Sequence, residues 1–184
     1  MFALAITGEP GVGKTTLLMK VVEFLKSKGI NIYGFYCPEV REMGRRIGFR
    51  IIDIAKGTRG WLAIVPEKAI ELGYDIRYMK RIGRYVVIEN EAERVGKESL
   101  IYQQKGVLVI DEIGPMELSI DGLRKAIIRA LYEATNILVI LHRNMRDLEV
   151  INVLNKKGVE ILKLTKQNRD RIYEEVLNKV IMKW

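Results

Sequence analysis

The feature that most constrains this chain is a glycine-rich segment near its start, Gly8-Glu9-Pro10-Gly11-Val12-Gly13-Lys14-Thr15-Thr16. It has two glycines separated by four residues, followed by lysine and threonine, which is the pattern of a phosphate-binding loop. Its glycines tolerate positive φ angles and let backbone N–H groups approach phosphate oxygens. In this pattern Lys14 brings a positive charge to the β- and γ-phosphates, and the Thr15 hydroxyl is a suitable ligand for Mg²⁺. We therefore expect all nine residues, Gly8 to Thr16, to bind phosphate.

The residues on either side of this loop support the interpretation. Residues 2–7 form the continuous apolar run of a strand that is buried on both faces. After the loop, apolar residues recur at helical spacing until Gly29, a helix stop signal. A strand, a glycine loop and a helix in this order direct a helix N-terminus at a phosphate.

The rest of the chain alternates between apolar runs and helical patterns, which indicates an α/β domain with a mainly parallel sheet. We expect one domain over residues 1–184. Within it, residues 38–88 interrupt the alternation, and residues 49–54 and 61–65 predict an inserted antiparallel hairpin. A short strand at 85–89 is a candidate partner of that hairpin. The other predicted buried strands span residues 30–37, 107–112, 137–142 and 159–165.

Two later helices have candidate caps in the sequence. Ser119 or Asp121 can cap the helix that carries Leu123, and Asp147 can cap the helix that runs through Leu154.

Two carboxylates, Asp111 and Glu112, end the apolar run that begins at residue 107. A parallel strand places its carboxyl end at the ligand edge of an open α/β sheet, so Asp111 is the expected Mg²⁺ carboxylate together with Thr15. Glu112 follows on the opposite face of a regular strand, where it can polarise an attacking water and also contact the nucleotide.

Transfer of a γ-phosphoryl group also requires a positive charge on the phosphate oxygens, and an arginine can supply it. Arg46 is our catalytic candidate; the others are Arg41, Arg45, Arg143, Arg146 and Arg169. His142, the only histidine, follows a predicted strand and is a candidate to contact phosphate or water.

Composition narrows the class of protein. The net charge of +8 suits a polyanion such as nucleic acid, nucleotide phosphates or simple solubility. The single cysteine, Cys37, cannot form an internal disulfide, which indicates a reducing compartment, and we expect the cytoplasm. No apolar run approaches the roughly 20 residues of a membrane span, so no membrane association is expected.

At several motifs the chain resembles a known family, the small P-loop nucleoside-triphosphatases described from thermophiles and related to the human cancer-related nucleoside-triphosphatase. The resemblance spans nearly the whole length. Beyond the loop, it depends on residues 39–42 (EVRE), 46–49 (RIGF), 111–117 (DEIGPME) and 168–170 (NRD).

This resemblance implies a three-layer α/β/α fold like that of RecA-type and nucleotide-kinase P-loop proteins, and Mg²⁺-dependent hydrolysis of ATP, GTP, CTP and UTP with broad base tolerance. It implies that the strand ending at His142 lies between the loop strand and the Asp111 strand, and that Asn168 and Arg169 lie near the base. Cys37 and Pro38 replace the polar residues expected there.

Two other functions remain open. A nucleotide or nucleoside kinase would pass the γ-phosphate to an acceptor hydroxyl, with residues 41–50 as a lid. An ATP-dependent nucleic-acid-binding module would couple hydrolysis to a polynucleotide, which is a candidate partner and not a required one. We expect slow turnover and favour a monomer.

Overall fold

A computed structural model describes residues 2–182 of the chain. Its ten strands are β1 Ala3–Gly8, β2 Ile32–Tyr36, β3 Glu39–Glu42, β4 Arg45–Asp53, β5 Arg59–Ile64, β6 Arg81–Ile82, β7 Tyr85–Val87, β8 Val107–Ile113, β9 Asn136–Leu141 and β10 Glu160–Leu164. Its helices are α1 Lys14–Ser27, α2 Pro66–Glu71, α3 Glu89–Ser99, α4 Pro115–Leu118, α5 Asp121–Glu133, α6 Leu148–Lys156 and α7 Arg169–Ile181.

All of these strands belong to one sheet. The parallel part has the order β10-β1-β9-β8-β2, so the strand before His142 lies between the loop strand and the Asp111 strand, as predicted. The sheet continues through antiparallel strands in the order β4-β5-β7-β6, with β3 paired to β4. The predicted hairpin is therefore confirmed as β4 and β5, and β7 is its partner.

Helices cover both faces of the sheet because side chains alternate along its buried strands. Leu4 and Ile6 belong to a core cluster with apolar residues of α1 and α7, whereas Ala5 belongs to a cluster with residues of α3, α5 and α6. This arrangement is the predicted three-layer α/β/α fold with a mainly parallel sheet.

Gly34 allows β2 to lie close to β8. Its φ is +118°, and a Cβ added there would lie 1.9 Å from the carbonyl oxygen of Val109. Any larger residue would collide with the neighbouring strand in a backbone conformation that L-residues rarely adopt.

One sequence prediction about the helices was wrong and one was confirmed. Neither Ser119 nor Asp121 caps α5: Ile120 precedes this helix, no side chain caps it, and the Ser119 hydroxyl donates to the Met116 carbonyl at the end of α4. Asp147 does cap α6, since its carboxylate accepts hydrogen bonds from Glu149 and Val150. No helix within residues 2–182 is long and apolar enough to cross a membrane.

Candidate active site

The phosphate-binding segment forms the turn between β1 and α1. Gly11 and Gly13 have φ angles of +74° and +104°, so the loop uses the freedom that glycine supplies. No side chain caps the first turn of α1, which leaves its N–H groups available to an anion. The Lys14 ammonium group bonds the carbonyls of Gly8 and Glu9 at 3.0 and 3.2 Å, so it lies over the loop.

A cavity of about 650 Å³ lies beside this loop. On one side it is lined by most of the segment from Gly8 to Thr16, and on the other by residues at the carboxyl ends of β8, β9 and β2 and by residues of the inserted strands. Asp111, Glu112 and His142 all line it. The structure thus brings the acidic pair and the only histidine to the phosphate-binding loop.

Asp111 is 5% exposed and faces the first turn of α1. The Thr15 side chain hydrogen-bonds its carboxylate, and the carboxylate oxygen Oδ2 is buried without a partner. Burial raises the pKa of Asp111 to about 6, the Thr15 hydrogen bond opposes the rise, and nearby Glu112 adds to it. A buried carboxylate oxygen without a donor suits a cation.

The residues fit Mg²⁺ in particular. This ion takes oxygen ligands, commonly one or two carboxylates together with substrate phosphates, and it retains several waters. Thr15 Oγ1 and Asp111 Oδ2 are such ligands on adjacent elements. The described residues contain no group of three or more His, Cys, Asp or Glu side chains around one point, so the protein alone offers no closed metal cage.

Glu112 lines the same cavity as Asp111, although a regular strand would place adjacent side chains on opposite faces. The register between β8 and β9 shifts between Ile110 and Ile113, so the strand is irregular where the two acids lie. Both acids therefore reach the cavity from an irregular strand end.

Glu117 is a further carboxyl group in this cavity, and sequence reasoning assigned it no role. It is 5% exposed, and burial raises its pKa to about 8, with smaller contributions from Glu112 and Asp111. A Cβ added at Gly114 would lie 3.1 Å from Glu112 Oε1 and 3.2 Å from Glu117 Oε2. The two carboxyl groups thus flank Gly114.

Two of the candidate arginines line the cavity, and both have ion-pair partners. Arg46 bonds Glu39, and its guanidinium carbon lies 5.6 Å from the centre of the Phe49 ring. Arg143 bonds Glu9 of the loop. Their side chains are 41% and 45% exposed, so both ion pairs are open to solvent at the cavity rim.

The remaining candidates lie on the other side of the loop or outside both cavities. Arg169 lines a second cavity of about 400 Å³, together with Lys20 and Tyr173, and this cavity shares Gly13 and Thr16 with the larger one. Asn168 does not line it: its side-chain amide bonds Lys163 and Thr165 within its own turn. The sequence pattern did not indicate Lys20 or Tyr173, which reach this cavity from α1 and α7.

Known proteins resemble this chain over nearly its whole length. A family model described as NTPase matches residues 3–177. Nucleoside-triphosphatase THEP1 of Saccharolobus solfataricus is 40% identical over 96% of this chain and 91% of its own, and that of Methanocaldococcus jannaschii is 34% identical over 96% and 95%.

Solved structures agree with these sequence matches. The solution structure of a human cancer-related nucleoside triphosphatase has a TM-score of 0.78 and 34% identity, and it covers 98% of this chain and 97% of its own. THEP1 from Aquifex aeolicus has a TM-score of 0.74 and 31% identity, over 95% and 96%. The loop, the acidic strand end and these matches together show that the chain belongs to the THEP1 family of nucleoside-triphosphatases.

Proposed function

We propose that this nucleoside-triphosphatase hydrolyses ATP, GTP, CTP and UTP to the diphosphate and phosphate, depends on Mg²⁺ and turns over slowly. The observation that carries the proposal is the meeting of Lys14, Thr15, Asp111 and Glu112 at one cavity. In hydrolysis of this kind the protein contributes mainly positioning and electrostatic stabilisation, because the phosphoryl group passes to a water without a covalent intermediate on the enzyme.

The loop residues Gly8 to Thr16 bind the triphosphate in this proposal. Backbone N–H groups around Gly11 and Gly13 contact phosphate oxygens, and Lys14 leaves its two carbonyl partners for the β- and γ-phosphates. Thr15 and Asp111 hold the Mg²⁺, which neutralises charge that develops on the phosphates. Glu112 accepts a proton from the attacking water.

Arg46 and His142, which line the same cavity, complete the proposed site. His142 accepts a hydrogen bond from the Asn144 backbone at Nδ1, which leaves its other ring nitrogen for a phosphate or water. Arg46 must break its ion pair with Glu39 before its guanidinium group can reach a phosphate. That exchange supports a slow basal rate.

We place the nucleoside in the smaller cavity, beside Arg169. The Asn168 side chain stabilises the turn before Arg169 through its bonds to Thr165 and Lys163. In this proposal Asn168 therefore positions Arg169 and does not contact the base itself. Lys20 lies 5.2 Å from the centre of the Tyr173 ring in this cavity. Such a surface favours any base by stacking and charge, which supports broad base tolerance.

This proposal also includes a cellular compartment and an oligomeric state. A single free cysteine suits a cytoplasmic protein. Neither nucleic acid nor a second subunit is required by the proposal, so the expected active form is a monomer.

The decisive test measures phosphate release from each of the four triphosphates, with and without Mg²⁺. We expect activity with all four and none after Mg²⁺ removal. Lys14→Ala and Glu112→Gln should abolish release, whereas Lys125→Ala and Glu98→Gln, at exposed positions outside both cavities, should match the wild type. Undiminished release from Glu112→Gln would remove Glu112 from the mechanism, and activity with one triphosphate alone would contradict base tolerance.

A further inference from the structure

The larger cavity extends well beyond the phosphate-binding loop. Its far half is lined mainly by apolar groups contributed by the inserted strands and by the segments after β2 and β8, namely Cys37, Pro38, Phe49, Leu62, Ile82 and Met116. Hydrolysis needs one attacking water, whose share of liquid volume is about 30 Å³. The whole cavity is about 650 Å³, so hydrolysis leaves most of its far half without a role.

The nucleotide does not fill that half either, and this step rests on the proposed function. A triphosphate bound with its γ-phosphate toward Asp111 and Glu112 has its nucleoside on the opposite side of the loop. The smaller cavity beside Arg169 lies there and shares only the lining residues Gly13 and Thr16 with the larger one. The apolar half therefore lies beyond the γ-phosphate, where an acceptor of that phosphate would bind.

A buried polar side chain faces this space. Glu117 is 95% shielded from solvent, lines the cavity, and has no hydrogen bond to another side chain among the described residues. The backbone N–H groups of Gly114 and of Glu117 itself bond its carboxyl group. A carboxyl group carries up to four lone-pair sites, so a ligand hydroxyl can still bond to it.

We propose that the apolar half of the cavity binds a nucleoside, whose hydroxyl group replaces water as the acceptor of the γ-phosphoryl group. Phe49, Leu62, Ile82 and Met116 would contact the flat base, and Glu117 would bond a hydroxyl of the sugar. A neutral nucleoside fits better than a nucleotide, because the Asp111 and Glu112 carboxylates repel an anion and the arginines that line the cavity, Arg46 and Arg143, are paired with Glu39 and Glu9.

The proposed transfer needs no reactant besides the bound triphosphate and the nucleoside. A lone pair of the nucleoside hydroxyl oxygen forms a bond to the γ-phosphorus, and the bond from that phosphorus to the β–γ bridging oxygen breaks. The hydroxyl proton passes to the Glu112 carboxylate, and the electron pair of the broken bond leaves with the nucleoside diphosphate. Hydrolysis by water is then the same reaction with the acceptor site empty.

The test incubates the protein with Mg²⁺ and γ-labelled ATP, with adenosine, guanosine, cytidine, uridine or thymidine added one at a time. We expect label in a nucleoside monophosphate for at least one of them, with a matching fall in released phosphate. Ile82→Trp fills the apolar half from β6, away from the loop. It should lower transfer at least about tenfold and leave phosphate release without nucleoside within about twofold. Ile70→Trp, at an exposed position outside the cavity, is the matched control.

Each result decides between the two proposals. Phosphate release without labelled monophosphate from any nucleoside overturns the acceptor site and leaves the hydrolase proposal standing, whether or not the Ile82 variant folds. Absence of both products overturns the nucleotide placement itself. Equal transfer by the wild type and a folded Ile82→Trp variant places the acceptor elsewhere and overturns the assignment of this half of the cavity.

Discussion

At the scale of single residues, Arg41 and Arg46 differ in one respect that bears on catalysis. Both bond Glu39, but only Arg46 lines the larger cavity. Loss of one positioned donor to a transition-state oxygen commonly lowers kcat by about 10²–10³-fold. We therefore predict that Arg46→Ala lowers kcat for ATP by about a hundredfold, measured by steady-state phosphate release.

Arg41→Ala is the matched control for this prediction because it removes the other partner of the same carboxylate. We expect it to leave kcat within about threefold of the wild type, since exposed ion pairs contribute little. Equal losses in the two variants would show that the pairing with Glu39, and not contact with phosphate, is what matters at Arg46.

Glu117 gives a prediction about stability and pH. Its pKa is raised from 4.5 to about 8 in the folded protein, so the folded state holds a proton that the unfolded state has lost between these values. The free energy of unfolding should therefore fall as pH rises through this window, because the unfolded state binds fewer protons. Glu117→Gln, which does not titrate, should gain stability relative to the wild type as pH rises.

Urea denaturation without Mg²⁺ or nucleotide, at about pH 5 and about pH 8, measures this difference. Glu98→Gln changes an exposed glutamate on α3 and should show no such dependence on pH. A wild-type-to-variant difference that is the same at both pH values would mean that Glu117 titrates normally.

Local sequence spacing predicted the loop residues and Asp111 but not Glu117. Lys14 and Thr15 follow directly from the glycine pattern, and Asp111 from its place at the end of an apolar strand. Glu117 enters the cavity because the single turn of α4 brings the chain back over Gly114, where a Cβ would be about 3 Å from two carboxylates. A contact of that kind depends on tertiary packing, which no spacing rule encodes.

At the scale of elements, the stability of α6 depends on Asp147, the residue that directly precedes this helix. The Asp147 carboxylate accepts N–H groups of Glu149 and Val150 at 3.1 Å and is bound at both oxygens by Arg124 on α5, at 2.7 and 3.0 Å. We predict that Asp147→Ala lowers the free energy of unfolding by about 1–2 kcal/mol, as loss of a helix cap does.

Asp147→Asn separates the two contributions, since it retains a capping oxygen and removes the charge that Arg124 binds. We expect it to cost less than the alanine variant in urea denaturation at neutral pH. Equal losses for the two variants would mean that the ion pair to α5, rather than the cap, stabilises α6.

Elements with a strong apolar period were predicted well, and short edge elements were not. The five parallel strands and α1, α6 and α7 follow from their runs of buried residues. In contrast, β3, α2 and β6 carry mixed sequences, because most of their residues are exposed or half-buried. The predicted cap of α5 was wrong because Ser119 belongs to the turn that ends α4. Its hydroxyl donates to the Met116 carbonyl in that turn.

For the whole molecule, the three-layer order was predictable because alternation of strands and helices restricts the chain to few topologies. The pairing of the inserted strands with the parallel sheet was not predictable. It consists of two antiparallel residue pairs, Phe35 with Asp53 and Tyr36 with Ile52, and of a shared core in which Ile51 and Leu62 pack with Leu108. Long-range pairing of this kind leaves no local pattern.

That shared core leads to the prediction that the chain, which we expect to be a single domain, unfolds in one cooperative step. Trp61, 5% exposed on β5, reports on the insertion once Trp184→Phe leaves it as the sole tryptophan. Its fluorescence and the far-ultraviolet circular dichroism of the whole chain should give the same urea midpoint, because Ile51 and Leu62 of the insertion belong to the same buried core cluster as Leu108 of the parallel sheet. An earlier midpoint for Trp61 would mean that the β4–β7 segment opens on its own, and the far half of the larger cavity would then open with it.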